Sequence, residues 1–308
     1  MKVIITGGAG FIGGHAVRHF VSQGDDVINV DKLTYAAKID NIRHSKFFNL
    51  DIRDTEGLLN LVQSSEPDFI INFAAETHVD NSIEDCSEFI KSNVEGIVSL
   101  MNVCRKTKSR LCHISTDEVY GPATDSAYDE EDKLNPMNPY AATKAASEMM
   151  IKSFINTYGI ECVIVRPSNN YGPHQYKEKF IPKLLNYIEE GSKFPLYGDG
   201  KQEREWTYVS DTVEVIRKLL ISNHLQMNSI YNLSSGVSFT NLNTIETILR
   251  IYNEKNSTSL KVDDVVKFSQ DRPGHDRKYL ISSNKLRSIV DHNFRNLEEG
   301  IREILETI

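Results

Sequence analysis

An α/β fold with a doubly wound parallel sheet is predicted by three features of the sequence. Short apolar runs alternate with amphipathic segments along the first half of the chain, which is the pattern of repeated strand–helix units. A glycine-rich loop separates the first apolar run from the first amphipathic segment. The apolar runs show no polar alternation, as expected for a sheet that helices cover on both faces. We therefore predict a sheet-forming domain that is followed by a smaller C-terminal lobe.

The glycine loop has glycines at positions 7, 10 and 13, between a strand at 3–6 and a helix that runs to about residue 23. The next strand, 27–30, ends at Asp31. This is the dinucleotide-binding fingerprint of a Rossmann fold, in which pyrophosphate lies against the helix N terminus. A carboxylate at this point binds ribose hydroxyls and repels a 2′-phosphate, so NAD is favoured over NADP. A purely structural glycine turn is the alternative.

The strand–helix rhythm continues after this fingerprint. Strands are predicted at 47–50, 69–73 and 161–166, and a helix at 55–64. Asp51 and Ile52 follow the first of these strands and are expected near the adenine ring. Ala74 and Ala75 follow the second, so they are expected at the ligand-binding edge of the sheet.

Tyr140 and Lys144 are four residues apart at the start of a predicted helix, so their side chains lie on one face of it. A lysine ammonium favours a nearby tyrosinate, and we expect it to lower the pKa of Tyr140 enough to make this phenol a usable base. A tyrosine and a lysine at this spacing also occur as an ordinary surface pair.

Asp117 and Glu118 follow the apolar run 111–114, where an open parallel sheet presents groups to a ligand. One carboxyl group can give a proton while the other takes one, if their surroundings separate their pKa values. A solvated turn is the alternative. His78 follows another strand at the same edge, and it is either a ligand-binding or a structural histidine.

Composition and charge exclude several classes of protein. With a net charge of −8, the chain lacks the basic surface that a nucleic-acid-binding protein needs. No stretch approaches about 18 uninterrupted apolar residues, and no signal-peptide core follows Met1, so no membrane partner is expected. The four cysteines are dispersed, which predicts reduced thiols of a cytoplasmic protein and no metal site.

Basic residues in loops mark the second half of the chain. Lys179, Arg204 and Arg272 are suited to bind phosphate oxygens, although each alone could be a surface charge. We therefore predict an NAD-binding domain of residues 1–167, to which residues 207–232 return. Residues 168–206 and 233–308 are predicted to form the substrate-binding lobe. The apolar arcs of the helices at 87–106 and 141–158 are wider than one sheet face requires, which predicts a homodimer.

Several segments together carry a family resemblance. These are the glycine loop 7–13, Tyr140 with Lys144, and the segments 31–36, 74–80, 115–121, 168–173 and 271–277. They resemble the dTDP-glucose 4,6-dehydratases, which belong to the extended short-chain dehydrogenase/reductases, from residue 2 to about residue 285. Members of the wider family that only epimerise or decarboxylate usually carry small hydroxyl residues in place of Asp117 and Glu118.

The resemblance implies an NAD-dependent hydro-lyase that converts dTDP-glucose to dTDP-4-keto-6-deoxyglucose. Tyr140, beside Lys144, takes the proton of the sugar 4-hydroxyl while carbon 4 gives a hydride to NAD. Glu118 then removes the proton from carbon 5 as Asp117 protonates the departing 6-hydroxyl. The hydride returns to carbon 6, so the cofactor ends as it began and is expected to stay bound.

The resemblance also implies the roles of further residues. Thr116 is the fifth catalytic residue and hydrogen-bonds the 4-oxygen, and Lys144 also holds the nicotinamide ribose. The fingerprint and the resemblance together predict the cofactor-binding residues Gly7, Gly10, Phe11, Ile12, Gly13, Asp31, Lys32, Leu33, Thr34, Asp51, Ile52, Ala74, Ala75, Tyr140 and Lys144. The implied nucleotide-sugar-binding residues are His78, Thr116, Asn169, Lys179, Arg204, Arg272 and His275. Among these, Asn169, Arg204 and Arg272 are expected on the diphosphate and Lys179 near the base.

Two departures from the family pattern leave the nucleotide open. Residues 234–238 read Ser-Ser-Gly-Val-Ser where bacterial members usually read Gly-Gly-His-Asn-Glu, and the chain is shorter before Tyr140 and at its C terminus. UDP-glucose, as in a rhamnose-type pathway of deoxysugar biosynthesis, is therefore an alternative substrate. A UDP-sugar 4-epimerase is a further alternative, but it must explain Asp117 and Glu118. An NAD-binding redox sensor would need none of the catalytic groups.

Overall fold

The computed structural model describes residues 1–123, 126–271 and 276–307. The strands in that part of the chain are β1 (Lys2–Thr6), β2 (Asp26–Asp31), β3 (Lys46–Asn49), β4 (Phe69–Asn72), β5 (Arg110–Ile114), β6 (Cys162–Pro167), β7 (Asn169–Tyr171), β8 (Phe194–Tyr197), β9 (Glu203–Tyr208), β10 (Ile230–Leu233), β11 (Ser238–Thr240) and β12 (Val266–Ser269). The α-helices are α1 (Phe11–Ser22), α2 (Thr55–Ser65), α3 (Val79–Glu84), α4 (Ser87–Phe89), α5 (Gly96–Thr107), α6 (Pro139–Tyr158), α7 (Phe180–Glu189), α8 (Val209–Ile221), α9 (Asn241–Asn256), α10 (Val262–Val265), α11 (Asn284–Arg287) and α12 (Leu297–Glu306). Two 3-10 segments, Ile39–His44 and Asp117–Tyr120, complete the helical structure together with a π-helical segment, Ile90–Glu95.

Seven parallel strands form the central sheet, in the order β10-β6-β5-β4-β1-β2-β3. The chain moves outward from β1 first on one side, to β2 and β3, and then on the other side, to β4 and beyond. The order therefore reverses between β1 and β4, and a crevice opens there at the carboxyl ends of the strands. The predicted α/β class with a doubly wound, Rossmann-type parallel sheet is confirmed.

Alternate side chains of these strands point to opposite faces of the sheet, and each face has its own apolar core. On one face, Val3, Ile5 and Ile71 pack with residues of α1 and α8. On the other face, Ile4 and Ile70 pack with residues of α2, α5 and α6. Burial on both faces explains why the strands read as continuous apolar runs in the sequence.

A third core lies outside the central sheet. It is formed by α7, α9 and α12 against a small sheet in the order β11-β9-β7 and a parallel pair of strands, β12 and β8. Leu286 and Val290, which lie between β12 and α12 in the chain, pack instead in the core beside α1 and α8. The division of the chain into two lobes at the predicted boundaries stays a prediction. No helix in the described ranges is both long enough and apolar enough to cross a membrane.

The segment 87–106 departs from the single regular helix that its apolar pattern predicts. Its middle part is the π-helical segment Ile90–Glu95, between α4 and α5. The side chain of Asn93 in this segment bonds both backbone groups of Glu76, at 2.9 and 3.0 Å, and donates to Oγ1 of Thr143 at 3.0 Å. The wider turn thus joins α6 to the segment that follows β4. A π-helical turn inside an α-helix frequently lies next to a functional site.

Candidate active site

The glycine loop packs against the segment after β4 more closely than a side chain would allow. Gly7 has a φ of 74°, and a Cβ atom there would lie 2.5 Å from the backbone nitrogen of Ala74. A Cβ atom on Gly13 would lie 2.1 Å from the carbonyl oxygen of Gly7. Both positions therefore require glycine. The loop backbone and the N terminus of α1 face a cavity, an arrangement that suits a pyrophosphate group.

Asp31 fixes the loop from the end of β2. Its Oδ2 accepts a hydrogen bond from the backbone nitrogen of Ala9 at 3.0 Å, and its Oδ1 accepts one from Leu33 at 2.7 Å. Burial raises the pKa of Asp31, while these two amide hydrogen bonds act in the opposite direction. Asp31 therefore connects the glycine loop to the turn after β2 and also lines the cavity.

The cavity has a volume of about 300 Å³ and opens at the carboxyl ends of the central strands. Of the predicted cofactor-binding residues, Gly7, Gly10, Phe11, Ile12, Gly13, Asp31, Lys32, Thr34, Asp51, Ile52, Ala74, Ala75, Tyr140 and Lys144 line it. Leu33 does not, and its contribution is the backbone hydrogen bond to Asp31. The catalytic candidates Thr116, Asp117 and Glu118 line the same cavity.

The predicted substrate-binding residues are divided between the cavity and its surroundings. Thr116, Asn169 and Lys179 line the cavity. His78 instead caps α3, where its Nδ1 accepts a hydrogen bond from Asn81. Arg204 is buried on β9, and its Nη2 donates to the carbonyl oxygen of Asp276 at 3.0 Å. Arg272 and His275 lie outside the described residues.

Tyr140 and Lys144 lie in the first two turns of α6 and are both buried. The helix begins after Asn138, whose side chain accepts a hydrogen bond from the backbone nitrogen of Ala141, and Pro139 occupies the first helical position. The Nζ atom of Lys144 donates to the carbonyl oxygen of Ile114 at 2.7 Å. The amine therefore bonds to β5.

The prediction that the pKa of Tyr140 is lowered beside Lys144 is wrong for this structure. Burial raises the pKa of Tyr140 above its ordinary value, Glu118 raises it further, and a hydrogen bond with Thr116 only partly opposes them. Burial also lowers the pKa of Lys144 to about 8, with Glu148 acting in the opposite direction. Low-dielectric surroundings thus disfavour both the tyrosinate and the ammonium, because each is the charged form of a buried group.

Asp117 and Glu118 have different surroundings although they are adjacent. Asp117 is buried, and this burial, followed by the charges of Glu118 and Glu205, raises its pKa well above the usual range. Its Oδ1 accepts a hydrogen bond from Thr116 at 3.2 Å, while its Oδ2 has no hydrogen-bond partner among the described residues. The half-buried Glu118 accepts a hydrogen bond from Asn138 at 3.1 Å. Asp117 is therefore suited to give a proton.

Two residues near the carboxyl pair were not predicted from the sequence. Asn138 precedes a proline at the start of a helix, which is a recognisable cap signal, but that signal does not predict its bond to Glu118. The hydroxyl of Tyr279 lies 3.5 Å from Oε2 of Glu118 and donates to Oδ2 of Asp276 at 2.5 Å. Tyr279 follows Glu118 by 161 residues, and no local pattern marks it.

The fold and this site define a Rossmann-fold enzyme of the short-chain dehydrogenase/reductase class, with a tyrosine and a lysine on one helix beside a dinucleotide-type glycine loop. The family model described as GDP-mannose 4,6 dehydratase matches residues 4–304, and the chain belongs to that family.

Three known proteins show how close this relationship is. The low-salt glycan biosynthesis protein Agl12 of Haloferax volcanii is 38% identical over 99% of this chain and 98% of its own length. A dTDP-glucose 4,6-dehydratase of Haemophilus influenzae is 34% identical over 99% of this chain and 97% of its own. The crystal structure of a dTDP-glucose 4,6-dehydratase from Bacillus anthracis in complex with NAD has a TM-score of 0.89 and 31% identity, and covers 99% of this chain and 96% of that one. The predicted resemblance to the nucleotide-sugar 4,6-dehydratases is confirmed.

Proposed function

We propose that this chain is an NAD-dependent dTDP-glucose 4,6-dehydratase, a hydro-lyase that forms dTDP-4-keto-6-deoxyglucose. One observation carries the proposal: Asp117 and Glu118 line the same cavity as Tyr140 and Lys144, in surroundings that differ for the two carboxyl groups. Elimination of water needs an acid and a base in addition to Tyr140 and Lys144, which serve the oxidation at carbon 4. The NAD-bound dehydratase from Bacillus anthracis and the dehydratase from Haemophilus influenzae support the same activity.

NAD fits the residues that line the cavity. Gly7, Gly10 and Gly13 line the cavity where a pyrophosphate would lie, and Asp31 lines it at the end of β2, where a ribose would lie. When bound, NAD would accept a hydride from carbon 4 of the sugar and return it at carbon 6. The remaining steps are proton transfers, which the side chains of this protein carry out.

Tyr140, as its phenolate, takes the proton of the sugar 4-hydroxyl and becomes the phenol, while Thr116, to which it is hydrogen-bonded, also bonds the 4-oxygen. The resulting ketone acidifies the proton on carbon 5, and Glu118 removes it. Asp117 gives its proton to the 6-hydroxyl, which leaves as water. The raised pKa of Asp117 supports this role because it favours the protonated form of the carboxyl group.

The nucleotide part of the substrate is assigned to the other side of the cavity. Asn169 and Lys179 line this region, and Oδ1 of Asn169 is buried without a hydrogen-bond partner among the described residues. We assign Asn169 to the diphosphate and Lys179 to the neighbourhood of the base. Arg204, Arg272, His78 and His275 are proposed as supporting residues on the strength of their motifs.

The experiment is incubation of the purified protein with dTDP-glucose, followed by measurement of the 4-keto sugar through its absorbance in alkali. A 4,6-dehydratase gives this signal, a 4-epimerase gives the galactose isomer, and a redox sensor gives no product. The Tyr140→Phe variant provides the blank for non-enzymatic change. Formation of galactose alone, or no reaction, would overturn the proposal.

UDP-glucose is kept as the second candidate substrate because residues 234–238 depart from the usual bacterial family pattern. Side-by-side measurement of kcat/KM on the two nucleotide sugars distinguishes them. A higher value for UDP-glucose would keep the dehydratase chemistry but replace dTDP as the nucleotide. In either case the product is a 4-keto-6-deoxy sugar, which suits a rhamnose-type pathway in the cytoplasm.

We also propose a homodimer formed through the helical segments near 87–106 and 141–158. Ile90 is 44% exposed and Met149 is 50% exposed on these segments, although both are large apolar side chains. Light scattering at micromolar concentration should give twice the mass of the chain. Met149→Glu should dissociate the dimer, whereas Phe268→Glu, at an equally exposed apolar residue on β12, should not. A monomer mass for the unmodified protein would contradict the proposal.

A further inference from the structure

A row of polar side chains crosses the central sheet and ends at Lys144. Thr6, Asn72 and His113 are register partners on the adjacent strands β1, β4 and β5. Their exposed fractions are 0, 1 and 1%, and they lie on the face of the sheet that is otherwise apolar. Buried polar groups destabilise the folded protein unless each is hydrogen-bonded, so each group of this row needs a partner.

The contacts along the row are continuous. Oγ1 of Thr6 donates to Oδ1 of Asn72 at 2.5 Å, and Nδ2 of Asn72 lies 3.1 Å from Nδ1 of His113. The same Nδ2 also faces the carbonyl oxygen of Ala74 at 3.5 Å, a contact that favours this orientation of the amide. Nε2 of His113 then lies 3.4 Å from Nζ of Lys144. We call these three residues, Thr6, Asn72 and His113, the polar row.

The direction of these hydrogen bonds determines where His113 carries its proton. Asn72 donates to Nδ1, so Nδ1 is an acceptor and a neutral imidazole carries its proton on Nε2. Burial, together with the nearby Lys144, lowers the pKa of His113 well below its usual range, so the ring is neutral. The Nε2 proton therefore points at Nζ of Lys144. An ammonium has no acceptor for that proton, whereas a neutral amine has one.

We propose that His113, held by Asn72 and Thr6, is a positioning residue. It couples the charge of Lys144 to the direction in which the hydrogen bonds run along the polar row. In one setting His113 carries its proton on Nε2, and Lys144 is an amine that donates to Ile114. In the other setting Lys144 has gained one proton from solution and is an ammonium that donates to Nε2. His113 then carries its single proton on Nδ1, the amide of Asn72 has turned over, and Thr6 accepts from it.

Other ionisable groups near Lys144 do not replace this coupling. Glu148 lies one turn further along α6 and favours the ammonium, but its carboxylate is already bound to Arg166 of β6 at 2.6 Å. Tyr140, Asp117 and Glu118 line the cavity, where the first two are hydrogen-bonded to Thr116 and the third to Asn138. Thr6 and Asn72, from β1 and β4, carry no charge. His113 is therefore the ionisable group of the sheet that touches the amine.

The consequence for the proposed reaction is that the charge on Lys144, four residues from Tyr140 on α6, has two discrete settings. The inference rests on the proposed function only for this consequence. The polar row itself can be tested without substrate. The activity assay reports the proposed function, and the measurement on the polar row reports the coupling. Failure of the one is therefore distinguished from failure of the other.

The test is nitrogen NMR of the protein labelled with nitrogen-15 in its histidines, because the two ring nitrogens differ in chemical shift according to which carries the proton. The His113 signals are assigned from their loss in His113→Phe. We expect a neutral ring with the proton on Nε2 at about pH 9 and on Nδ1 at about pH 6. The midpoint should lie near the lowered pKa of Lys144, about 8. A tautomer that is independent of pH, or a ring that becomes an imidazolium, would overturn the proposal.

Two variants, Asn72→Asp and Lys144→Met, and one control variant make the assignment specific. Asn72→Asp replaces the amide donor by an acceptor, so the proton of His113 should stay on Nδ1 at both pH values, and the limb of kcat/KM that reports Lys144 should move up by about one pH unit. Asn29→Asp makes the same change at a buried residue of β2 outside the polar row and should leave the tautomer switch unchanged. Lys144→Met should abolish the switch. An unchanged switch in Asn72→Asp or Lys144→Met would contradict the coupling, and the measurement on the unmodified protein needs no variant to fold.

Discussion

The side-chain amide of Asn138 binds the catalytic candidate Glu118 and the start of α6 at the same time. Its Nδ2 donates to Oε2 of Glu118 at 3.1 Å, and its Oδ1 accepts from the backbone nitrogen of Ala141 at 2.9 Å. Because α6 carries Tyr140 and Lys144, one residue fixes the position of the proposed base relative to the tyrosine. An amide is suited to this position since it offers a donor on one side and an acceptor on the other.

Two substitutions of Asn138 should separate its two contacts. Asn138→Asp keeps the cap acceptor but places a carboxylate against Glu118, and we expect kcat/KM to fall by roughly ten- to a hundredfold. Asn138→Ser also keeps a cap acceptor and only removes the donor, so a smaller loss is expected. Both variants should retain the Tm of the unmodified protein to within a few degrees, since the cap persists. Full activity of Asn138→Asp would show that the contact to Glu118 has no role.

Glu118→Gln should bind NAD and the sugar nucleotide yet stall the elimination step. An amide does not take the proton from carbon 5, so the enzyme should oxidise the sugar and then retain the reduced cofactor. The measurement is the absorbance of bound NADH after substrate is added, together with the rate of its decay. Glu131→Gln, at an exposed glutamate of the loop before α6, is the matched control. Normal turnover in Glu118→Gln would refute its role as the base.

Tyr140→Phe should block the reaction one step earlier. Without the phenol there is no acceptor for the 4-hydroxyl proton, so the loss should be at least about a hundredfold, as is typical for a general acid–base group. No bound NADH should accumulate, which distinguishes this variant from Glu118→Gln. Tyr158→Phe, at a half-exposed tyrosine at the end of the same helix, should leave the rate unchanged. Accumulation of NADH in Tyr140→Phe would assign the proton transfer to another residue.

Much of the fold was predictable because its signals are local. Each central strand is built around a short apolar run, and the glycines of the first loop lie within the segment 7–13, so both signals are found in consecutive residues. The acid pair was predictable for the same reason, since a strand end and two carboxyl groups are adjacent in the chain.

The chemistry of the site depends on contacts between distant segments, and these left no local pattern. The pKa values of Tyr140 and Lys144 follow from burial between α6 and β5, which outweighs their spacing along the helix. Tyr279 reaches Glu118 from a segment that follows it by 161 residues. The π-helical turn at Asn93 depends on the backbone of Glu76, which belongs to another element. Spacing therefore predicted which residues meet but not their protonation.

The pH dependence of stability offers a test of the environment of Asp117. Its pKa in the folded protein is raised above the unfolded value by burial and by Glu118 and Glu205. A group with a raised folded pKa contributes stability that is fully present below the unfolded pKa and is lost as the pH rises through the folded pKa. The folded protein should therefore lose stability through Asp117 as the pH rises from the ordinary range of an aspartic acid toward neutrality.

Asp117→Asn should remove this loss, because asparagine resembles a protonated aspartic acid and does not ionise. The Tm of Asp117→Asn should exceed that of the unmodified protein at about pH 7 and approach it at about pH 3, below the unfolded pKa, where Asp117 is largely protonated in both states. Other acids with raised pKa values, such as the buried Glu205 and the half-buried Glu76, are present in both proteins, so their effects largely cancel in the difference. Asp132→Asn, at an exposed aspartate, is the control and should show no such divergence. The difference in Tm between Asp117→Asn and the unmodified protein should grow from the lower to the higher pH. If it does not grow, Asp117 is ionised in the folded protein. The proton for the departing 6-hydroxyl would then have to come from another group.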